Sequence, residues 1–289
     1  IQPDLIFSYT HKAIIAASTA ARFSGFSNTY SLITGTGHIF DSENLKQKVL
    51  KNLGSFALRL ALNSNKVVFF QNPDDRCLFE KKKIVNVDKT KLVNGSGVNL
   101  QQFTVTKLPS EPIFLCVARL IKSKCILEFA QAAQIVKSSY PNAKFLLYGY
   151  ADDHPDSINE QEIINEWKEK YGVEYYGYSS NPAETINISS IFVLLSYKEG
   201  TPRVVLEAMA MGRPIITTDT PGCRETVQDG VNGFLVPKGD YRIAAESMKA
   251  LLEDSLRQKM GVESRKYCES KFNVKHVNAS MLKEMDVLE

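Results

Sequence analysis

Residues 191–219 read IFVLLSYKEGTPRVVLEAMAMGRPIITTD and contain the pattern that decides the fold. Apolar β-type runs open and close this stretch, and a helical segment separates them. Thr201 and Pro202 predict the start of that helix, with Thr as the cap and Pro at the first helical position. Gly212 predicts its end. A strand, a helix and a second strand in this order predict parallel strands joined by a right-handed crossover.

Two glutamates stand eight positions apart in this stretch. Glu199 lies in the loop before the helix, and Glu207 falls in the second turn of the helix. The N–H groups of Arg203, Val204 and Val205 then point out of the helix N-terminus, into the space that the two carboxylates flank. We predict that a ligand places an anionic group and hydroxyl groups in that space.

The same alternation of strands and helices continues from residue 113 onward. The predicted strands are at 113–118, 144–149, 173–177, 191–196, 214–219 and 233–237. The last part of the chain is predicted to form helices at 240–253, 255–270 and 274–287. Ser157 and Glu160 are expected to form a capping box for a further helix. Together these elements predict an α/β fold, a doubly wound parallel sheet with helices on both faces.

Residues 1–105 repeat this pattern less completely. Strands are predicted at 4–8, 30–34, 66–71 and 89–94, with helices at 12–25 and near 44–63. We therefore expect two Rossmann-like domains, residues 1–108 and 109–289, joined near 106–111, with the last helix a candidate to pack back on the first domain. The chain opens with Ile1 and enters a strand at once, so we expect its first domain to lack the opening strands.

The composition is that of a soluble globular protein, because 44% of the 289 residues are hydrophobic and 23% are charged. No apolar run approaches the ~18 residues that a membrane span needs, and the opening residues lack the pattern of a signal peptide. The five cysteines and four histidines are scattered, without metal-ligand spacing. We therefore expect a reduced, cytoplasmic protein without a structural metal.

The positive charge is concentrated in the first part of the chain. Residues 1–110 hold 14 Lys and Arg against 7 Asp and Glu, although the net charge of the whole chain is only +3. Lys81, Lys82 and Lys83 contribute to this excess. They form either a solvated helix end or a weak contact with an anionic membrane face or a phosphorylated acceptor. Nucleic acid is a less suitable partner, because the basic residues do not belong to a recognisable binding module.

The segment RLIKSK (119–124) directly follows the predicted strand at 113–118 and contains Arg119 and Lys124. Arg119 and Lys124 therefore lie at the carboxyl end of that strand, where open α/β sheets bind ligands. Arg binds phosphate in bidentate fashion, and Lys adds a mobile charge. With the helix N-terminus after Glu199, they are able to hold a diphosphate without a metal. The alternative is that both cations pair with acidic groups on the surface.

Three stretches of the second domain carry a recognisable pattern: VARLIKSKCILEFAQAA (117–133), KFLLYG (144–149) and YKEGTPRVVLEAMAMGRPIITTDTPGCRETVQDGVNGFLVP (197–237). They resemble the nucleotide-binding domain of the family 4 retaining glycosyltransferases, which have the GT-B fold. The upstream stretches are LITGTGHIF (32–40), VVFFQNPDD (67–75) and LVNGSGVNLQQF (92–103). They are similar to the end of the acceptor domain in members that build bacterial surface polysaccharides. The resemblance covers nearly the whole chain.

The resemblance implies a role for each matching residue of the donor site. Arg119 and Lys124 would bind the diphosphate of the donor and stabilise it as it leaves. Glu207 would accept hydrogen bonds from the ribose hydroxyls. Glu199 would face the hydroxyls of the transferred sugar and favour a developing oxocarbenium ion. The implied donor-binding residues are Arg119, Lys124, Glu199, Gly200, Thr201, Pro202, Arg203, Val204 and Glu207. For Arg203, a plain surface role is the alternative.

On the acceptor side the resemblance is thinner. Gly35, Thr36 and Gly37 resemble a glycine-containing loop that lies against the donor sugar and the acceptor, and glycines allow close backbone approach. His11 and Lys12 are candidate acceptor-side residues, with a purely structural role as the alternative.

The chain departs from the family pattern at two places. Many members have a histidine where this chain has Gly35 or Thr36, which puts a histidine contact to the sugar in doubt. Cys125 follows Lys124 where glycine is usual, which puts the local turn in question.

The resemblance implies retaining transfer of a hexose or N-acetylhexosamine from a nucleoside diphosphate sugar, with UDP the expected nucleotide, to a lipid-linked or polysaccharide acceptor. The leaving phosphate would help to deprotonate the acceptor, so no protein base, metal or cofactor is assigned. The expected location is the cytoplasm, with peripheral contact at the inner face of the membrane. The main alternative is a nucleotide-sugar-binding subunit that is inactive without the missing N-terminal part. A GT-B epimerase fits less well.

Overall fold

The computed structural model describes residues 3–36 and 45–288 and divides the chain into two compact units. Unit 1 contains the residues up to Ser96, the segment Glu199–Thr201 and the residues from Lys275 onward. Unit 2 contains Gly97–Lys198 and Pro202–Val274. Each unit has its own parallel sheet and its own hydrophobic core.

Unit 1 is built on a parallel sheet whose four described strands follow one another in sequence order. The strands are β1 (Ile6–Tyr9), β2 (Thr29–Ile33), β3 (Val67–Phe70) and β4 (Thr90–Leu92). The helices are α1 (His11–Phe23), α2 (Leu45–Ser64), α3 (Pro73–Lys81) and α10 (Val274–Glu284). In α10, the first residue belongs to unit 2 and the others belong to unit 1. Strand β2 and most of β3 are buried, as expected where helices cover a parallel sheet.

Unit 2 contains a parallel sheet of six described strands in the order β10-β9-β8-β5-β6-β7. The strands are β5 (Ile113–Val117), β6 (Lys144–Tyr148), β7 (Val173–Tyr175), β8 (Ile191–Leu194), β9 (Ile215–Thr218) and β10 (Gly233–Val236). The helices are α4 (Ile126–Ser139), α5 (Glu160–Tyr171), α6 (Pro182–Asn187), α7 (Arg203–Ala210), α8 (Tyr241–Ala250) and α9 (Asp254–Phe272). Strand β5 lies between β6 and β8, so the strand order reverses there. In doubly wound sheets the ligand crevice lies at this switch point, outside the carboxyl ends of the strands.

Alternate residues of β5 contribute to two hydrophobic cores in unit 2. Phe114 and Cys116 belong to one core, and Leu115 belongs to the other. This period of two is that of a strand buried on both faces. Val98 and Phe103 also pack in this unit, so the contacts divide the chain earlier than the boundary after residue 108 that the sequence suggested.

The expected α/β fold class, with parallel sheets flanked by helices, is confirmed, and the ends of each predicted strand differ by at most two residues. Two predicted helix caps are wrong. Asn159 instead of Ser157 caps α5, and its side chain accepts the Gln161 N–H at 3.0 Å. Pro202 instead of Thr201 is the N-cap of α7. The hydroxyl groups of Ser157 and Thr201 bond to distant carbonyl groups instead.

None of the helices within residues 3–36 and 45–288 combines the length and the apolar character that crossing a membrane requires.

Candidate active site

Arg119 lies two residues beyond the end of β5, at the switch point of the unit 2 sheet. Its Nη1 donates a hydrogen bond to Asp152 Oδ2 at 3.1 Å. The surface pairing that the sequence left open is therefore present for this residue. Because the Arg119 side chain is 44% exposed, the pair contributes at most about 1 kcal/mol, and an anionic ligand is able to take the place of Asp152.

Lys124 ends a short 3-10 turn, Lys122–Lys124, between β5 and α4. The carbonyl oxygen of Ser123 accepts hydrogen bonds from the Tyr197 N–H at 2.9 Å and from the Ser196 hydroxyl at 3.3 Å. Both donors follow β8, the neighbour of β5 in the sheet. These bonds hold the turn that carries Lys124 beside the carboxyl end of β8.

Cys125 follows Lys124 and precedes the first residue of α4. Its backbone is left-handed, with φ 52° and ψ 40°, a conformation that glycine adopts most readily. A glycine-type turn is therefore present although glycine is absent, at a cost of about 1–2 kcal/mol. The thiol is buried, and burial raises its pKa, so it stays neutral.

Helix α7 begins at Arg203 and presents its N-terminus after β8. The Val205 N–H donates to the Pro202 carbonyl oxygen at 3.0 Å, so the expectation that this N–H points out of the helix is wrong. In the described part of the chain, the N–H groups of Arg203 and Val204 precede the first hydrogen bond within the helix. These two groups form the positive end of the helix dipole and suit an anion.

Glu207 lies in the second turn of α7 and is only 5% exposed. Its Oε1 accepts a hydrogen bond at 3.0 Å from Nε of Arg203, one helical turn earlier. Burial raises the pKa of Glu207 above its usual value, and the Arg203 guanidinium offsets part of that rise. Arg203 therefore orients this carboxylate and favours its ionised form.

Neither Glu207 nor any other acid in the described ranges belongs to a group of three or more His, Cys, Asp or Glu that could hold a metal ion.

The segment Glu199–Thr201 belongs to unit 1 by its contacts. The Gly200 carbonyl oxygen accepts a hydrogen bond from Asn72 Nδ2 at 2.9 Å, and the Thr201 hydroxyl donates to the Gln71 carbonyl oxygen at 3.2 Å. Gln71 and Asn72 follow β3 directly. The segment is therefore bound at the carboxyl edge of the unit 1 sheet.

Three glycines allow this close packing: Gly200 within the segment, and Gly35 and Gly95 next to it. A Cβ on Gly200 would overlap the carbonyl oxygen of Thr34. A Cβ on Gly35 would lie 3.3 Å from the Gly200 nitrogen, and one on Gly95 would lie 2.9 Å from Thr201 Cβ. Gly35 also has a φ of +133°, which strains any other residue. Gly35 therefore allows a close backbone approach, and the group that approaches it is the Gly200 backbone.

His11 and Lys12 open α1, at the carboxyl end of β1. Burial lowers the pKa of His11, and a hydrogen bond to the backbone of Gly35 partly offsets this effect. His11 is thus joined to the loop after β2, whereas Lys12 is exposed. Thr36 is partly exposed in that loop. The predicted acceptor-side residue Gly37 lies outside the described residues.

Sequence reasoning missed Gln71 and Asn72. The Asn72 side chain caps α3 by accepting the Asp75 N–H, with Pro73 at the first helical turn. The sequence signal is visible, because Asn-Pro-Asp-Asp directly after an apolar strand marks a helix start. Such a start also marks the carboxyl end of a parallel strand, where ligand sites form.

Residues 99–267, more than half of the chain, match the family described as glycosyl transferases group 1. The chain is 28% identical over 265 residues to the N,N'-diacetylbacillosaminyl-diphospho-undecaprenol alpha-1,3-N-acetylgalactosaminyltransferase of Campylobacter jejuni, covering 87% of this chain and 68% of that protein. It is 35% identical over 158 residues to the capsular polysaccharide biosynthesis glycosyltransferase CapM of Staphylococcus aureus, covering 54% of this chain and 41% of CapM.

A solved structure shares the fold. The sucrose-phosphate synthase of Thermosynechococcus elongatus has a TM-score of 0.81 at 21% identity, covering 96% of this chain and 72% of that one. At this identity the likeness shows the fold alone, and that fold is GT-B. The chain spans only part of each of these proteins, and less than half of CapM.

Proposed function

Because this chain belongs to the glycosyl transferases group 1 family, we propose that it transfers a hexose or N-acetylhexosamine from a nucleoside diphosphate sugar to an acceptor hydroxyl. The proposed nucleotide is UDP. The proposed acceptor is a lipid-linked sugar or a polysaccharide of cell-surface glycan synthesis, in line with the names of the two relatives. The observation that carries this proposal is the position of Arg119, Lys124 and the α7 N-terminus at the carboxyl ends of β5 and β8.

The cations suit a diphosphate leaving group. Arg119 would exchange Asp152 for phosphate oxygens, and Lys124 would add a second charge-assisted bond. The N–H groups of Arg203 and Val204 would add the positive end of the α7 dipole. Negative charge grows on the diphosphate as the glycosidic bond breaks. These groups therefore stabilise the transition state more than the ground state, without a metal.

The two glutamates have different tasks in this proposal. Glu207, buried and oriented by Arg203, would accept hydrogen bonds from the ribose hydroxyls. Glu199 would face the hydroxyls of the transferred sugar, where its charge favours an oxocarbenium-like transition state. Gly200, Thr201 and Pro202 are the remaining proposed donor-site residues; backbone N–H groups of this segment would complete the diphosphate site, to which Pro202 contributes no N–H. The leaving phosphate would take the acceptor proton on the face from which it departs, so the anomeric configuration is retained.

The acceptor is proposed to bind at the carboxyl edge of the unit 1 sheet. His11 Nε2 is buried and has no hydrogen-bond partner among the described residues, so it is able to bond to a sugar hydroxyl. Lys12 is exposed next to it and suits the phosphate of a lipid-linked acceptor. The loop with Gly35 and Thr36 follows the neighbouring strand and would contact the same acceptor.

Calorimetric titration of the intact protein with UDP-, GDP- and ADP-sugars tests the donor. We expect binding of a UDP-sugar, which at 100 times its Kd would raise the free energy of unfolding by ~2.7 kcal/mol. NMR of the product formed in EDTA then shows the anomeric configuration. An inverted product, or a requirement for added metal, would contradict the mechanism. Binding without transfer or hydrolysis until a longer N-terminal part is supplied would favour the nucleotide-sugar-binding subunit instead.

We also propose that the basic part of unit 1 makes peripheral contact with anionic lipid. Lys81, Lys82 and Lys83 are exposed at the end of α3. Each lysine near such a surface contributes about 1 kcal/mol, so the triple alanine variant is expected to bind phosphatidylserine vesicles up to about 100-fold more weakly in a sedimentation assay. Neutral phosphatidylcholine vesicles are the control. Equal sedimentation of the variant and the wild type with anionic vesicles would contradict this contact.

A further inference from the structure

Asn72 makes hydrogen bonds to two different parts of unit 1. The residue follows β3 and is 1% exposed. Its Oδ1 accepts the Asp75 N–H at 2.8 Å, which caps α3. Its Nδ2 donates to the Gly200 carbonyl oxygen at 2.9 Å and lies 3.5 Å from the Glu199 carbonyl oxygen. The same Nδ2 also donates to Asp75 Oδ2 at 2.9 Å. A single buried amide therefore joins the start of α3 to the backbone beside Glu199.

The neighbouring contacts leave this backbone few alternative positions. The Thr201 hydroxyl bonds to the Gln71 carbonyl oxygen at 3.2 Å, and Gly35 packs against the Gly200 nitrogen. Gly200 and Thr201 are themselves buried. A shift of the segment away from Asn72 would break this bond and leave the Gly200 carbonyl oxygen without this donor.

We propose that Asn72 is a positioning residue for Glu199, acting through the carbonyl groups of Glu199 and Gly200. The inference rests on the proposed function, in which the Glu199 carboxylate contacts the transferred sugar. Groups that stabilise a transition state must be held in place before the reaction, and a displacement of 1 Å costs about 100-fold in rate. Asn72 holds the main chain at Glu199 and Gly200, and thereby positions the Glu199 side chain.

The helix cap made by Asn72 and its bond to Gly200 are separable by substitution. Asn72→Ser keeps an oxygen that caps α3, because serine is as good an N-cap as asparagine, but its side chain is too short to reach Gly200. Asn72→Asp keeps the cap as well, and replaces the amide donor with a carboxylate facing a carbonyl oxygen. Asn72→Ser is therefore expected to remain folded, with an unfolding temperature within about 5 °C of the wild type, whereas Asn72→Asp places a second buried carboxylate beside Asp75 and is expected to be less stable.

The matched control is Asn181→Ser. Asn181 precedes Pro182 and caps α6 in the same way that Asn72 precedes Pro73 and caps α3. Its side chain accepts the Glu184 N–H and belongs to unit 2. The control therefore reports what an Asn-to-Ser exchange at an Asn-Pro cap does on its own, and it is expected to leave the transfer rate unchanged.

Steady-state transfer by the intact protein tests the inference. We expect kcat to fall about 10- to 100-fold in both Asn72 variants, while the Kd of the UDP-sugar measured by calorimetry changes less than about threefold. Wild-type kcat in folded Asn72→Ser, or an equal loss in Asn181→Ser, would overturn the positioning role. A Kd that rises as much as kcat falls would also overturn it, because Asn72 would then act on donor binding. Absence of transfer by the wild type is a different result, since it refutes the proposed function itself.

Discussion

Replacing Lys124 with alanine is expected to lower the kcat of sugar transfer about 10²- to 10³-fold. In the proposed mechanism, Lys124, Arg119 and the α7 N-terminus stabilise the charge that builds up on the diphosphate. Arg119 already binds the same diphosphate in this mechanism, so it is not available to replace the charge of Lys124. Initial rates at saturating UDP-sugar measure the loss. The Kd of the donor is expected to change less, because Glu207 and the helix end still bind it.

Lys122→Ala is the matched control for this prediction. Lys122 is exposed, lies on the same 3-10 turn and carries the same charge. Removing an exposed charge that does not contact the donor is expected to change kcat less than about twofold at physiological ionic strength. Wild-type rates in Lys124→Ala would contradict the role of Lys124. Equal losses in the two variants would show that the general electrostatic field, and not a contact with the diphosphate, is responsible.

The strands were predictable because their sequence pattern reports burial on both faces. Strand β8 is an uninterrupted apolar run, and all four of its residues are buried. Helix caps were less predictable, since a hydroxyl group has several acceptors within reach. Ser157 donates to the Leu120 carbonyl oxygen, and Thr201 donates to that of Gln71, 130 positions away in sequence. Local spacing contains no information on such long-range bonds.

The predicted site residues differ in the same way in how far the local sequence indicates them. Arg119 and Lys124 were predicted from the sequence because a general rule assigns ligands to the carboxyl ends of parallel strands. The contact between Asn72 and Gly200 joins residues 128 positions apart, so neither residue's neighbours indicate it. From the sequence, Gly35 was predicted to permit a close backbone approach. Only the structure identifies the Gly200 backbone as the group that approaches.

Gly200→Ala is expected to lower kcat about 100-fold and to reduce the free energy of unfolding by about 1–3 kcal/mol. The added methyl group would overlap the carbonyl oxygen of Thr34 and the side chain of Gln71. The side chain of Gln71 is able to rotate away, but the backbone carbonyl of Thr34 follows β2 directly and moves only with the chain. The segment that carries Glu199 must therefore shift, and its bond from Asn72 lengthens.

Gly54→Ala provides the control with identical chemistry. Gly54 lies within α2, and a Cβ there meets no atom within 4 Å. Alanine is expected to stabilise this helix by about 0.5–1 kcal/mol and to leave kcat unchanged. The same methyl group is thus expected to lower the free energy of unfolding at position 200 and to raise it at position 54. Chemical denaturation measures the free energy of unfolding, and initial rates measure kcat. Wild-type activity and stability in Gly200→Ala would contradict this prediction. The active protein would then not require the close packing of residues 199–201 against β2 and β3. Other contacts would have to position Glu199.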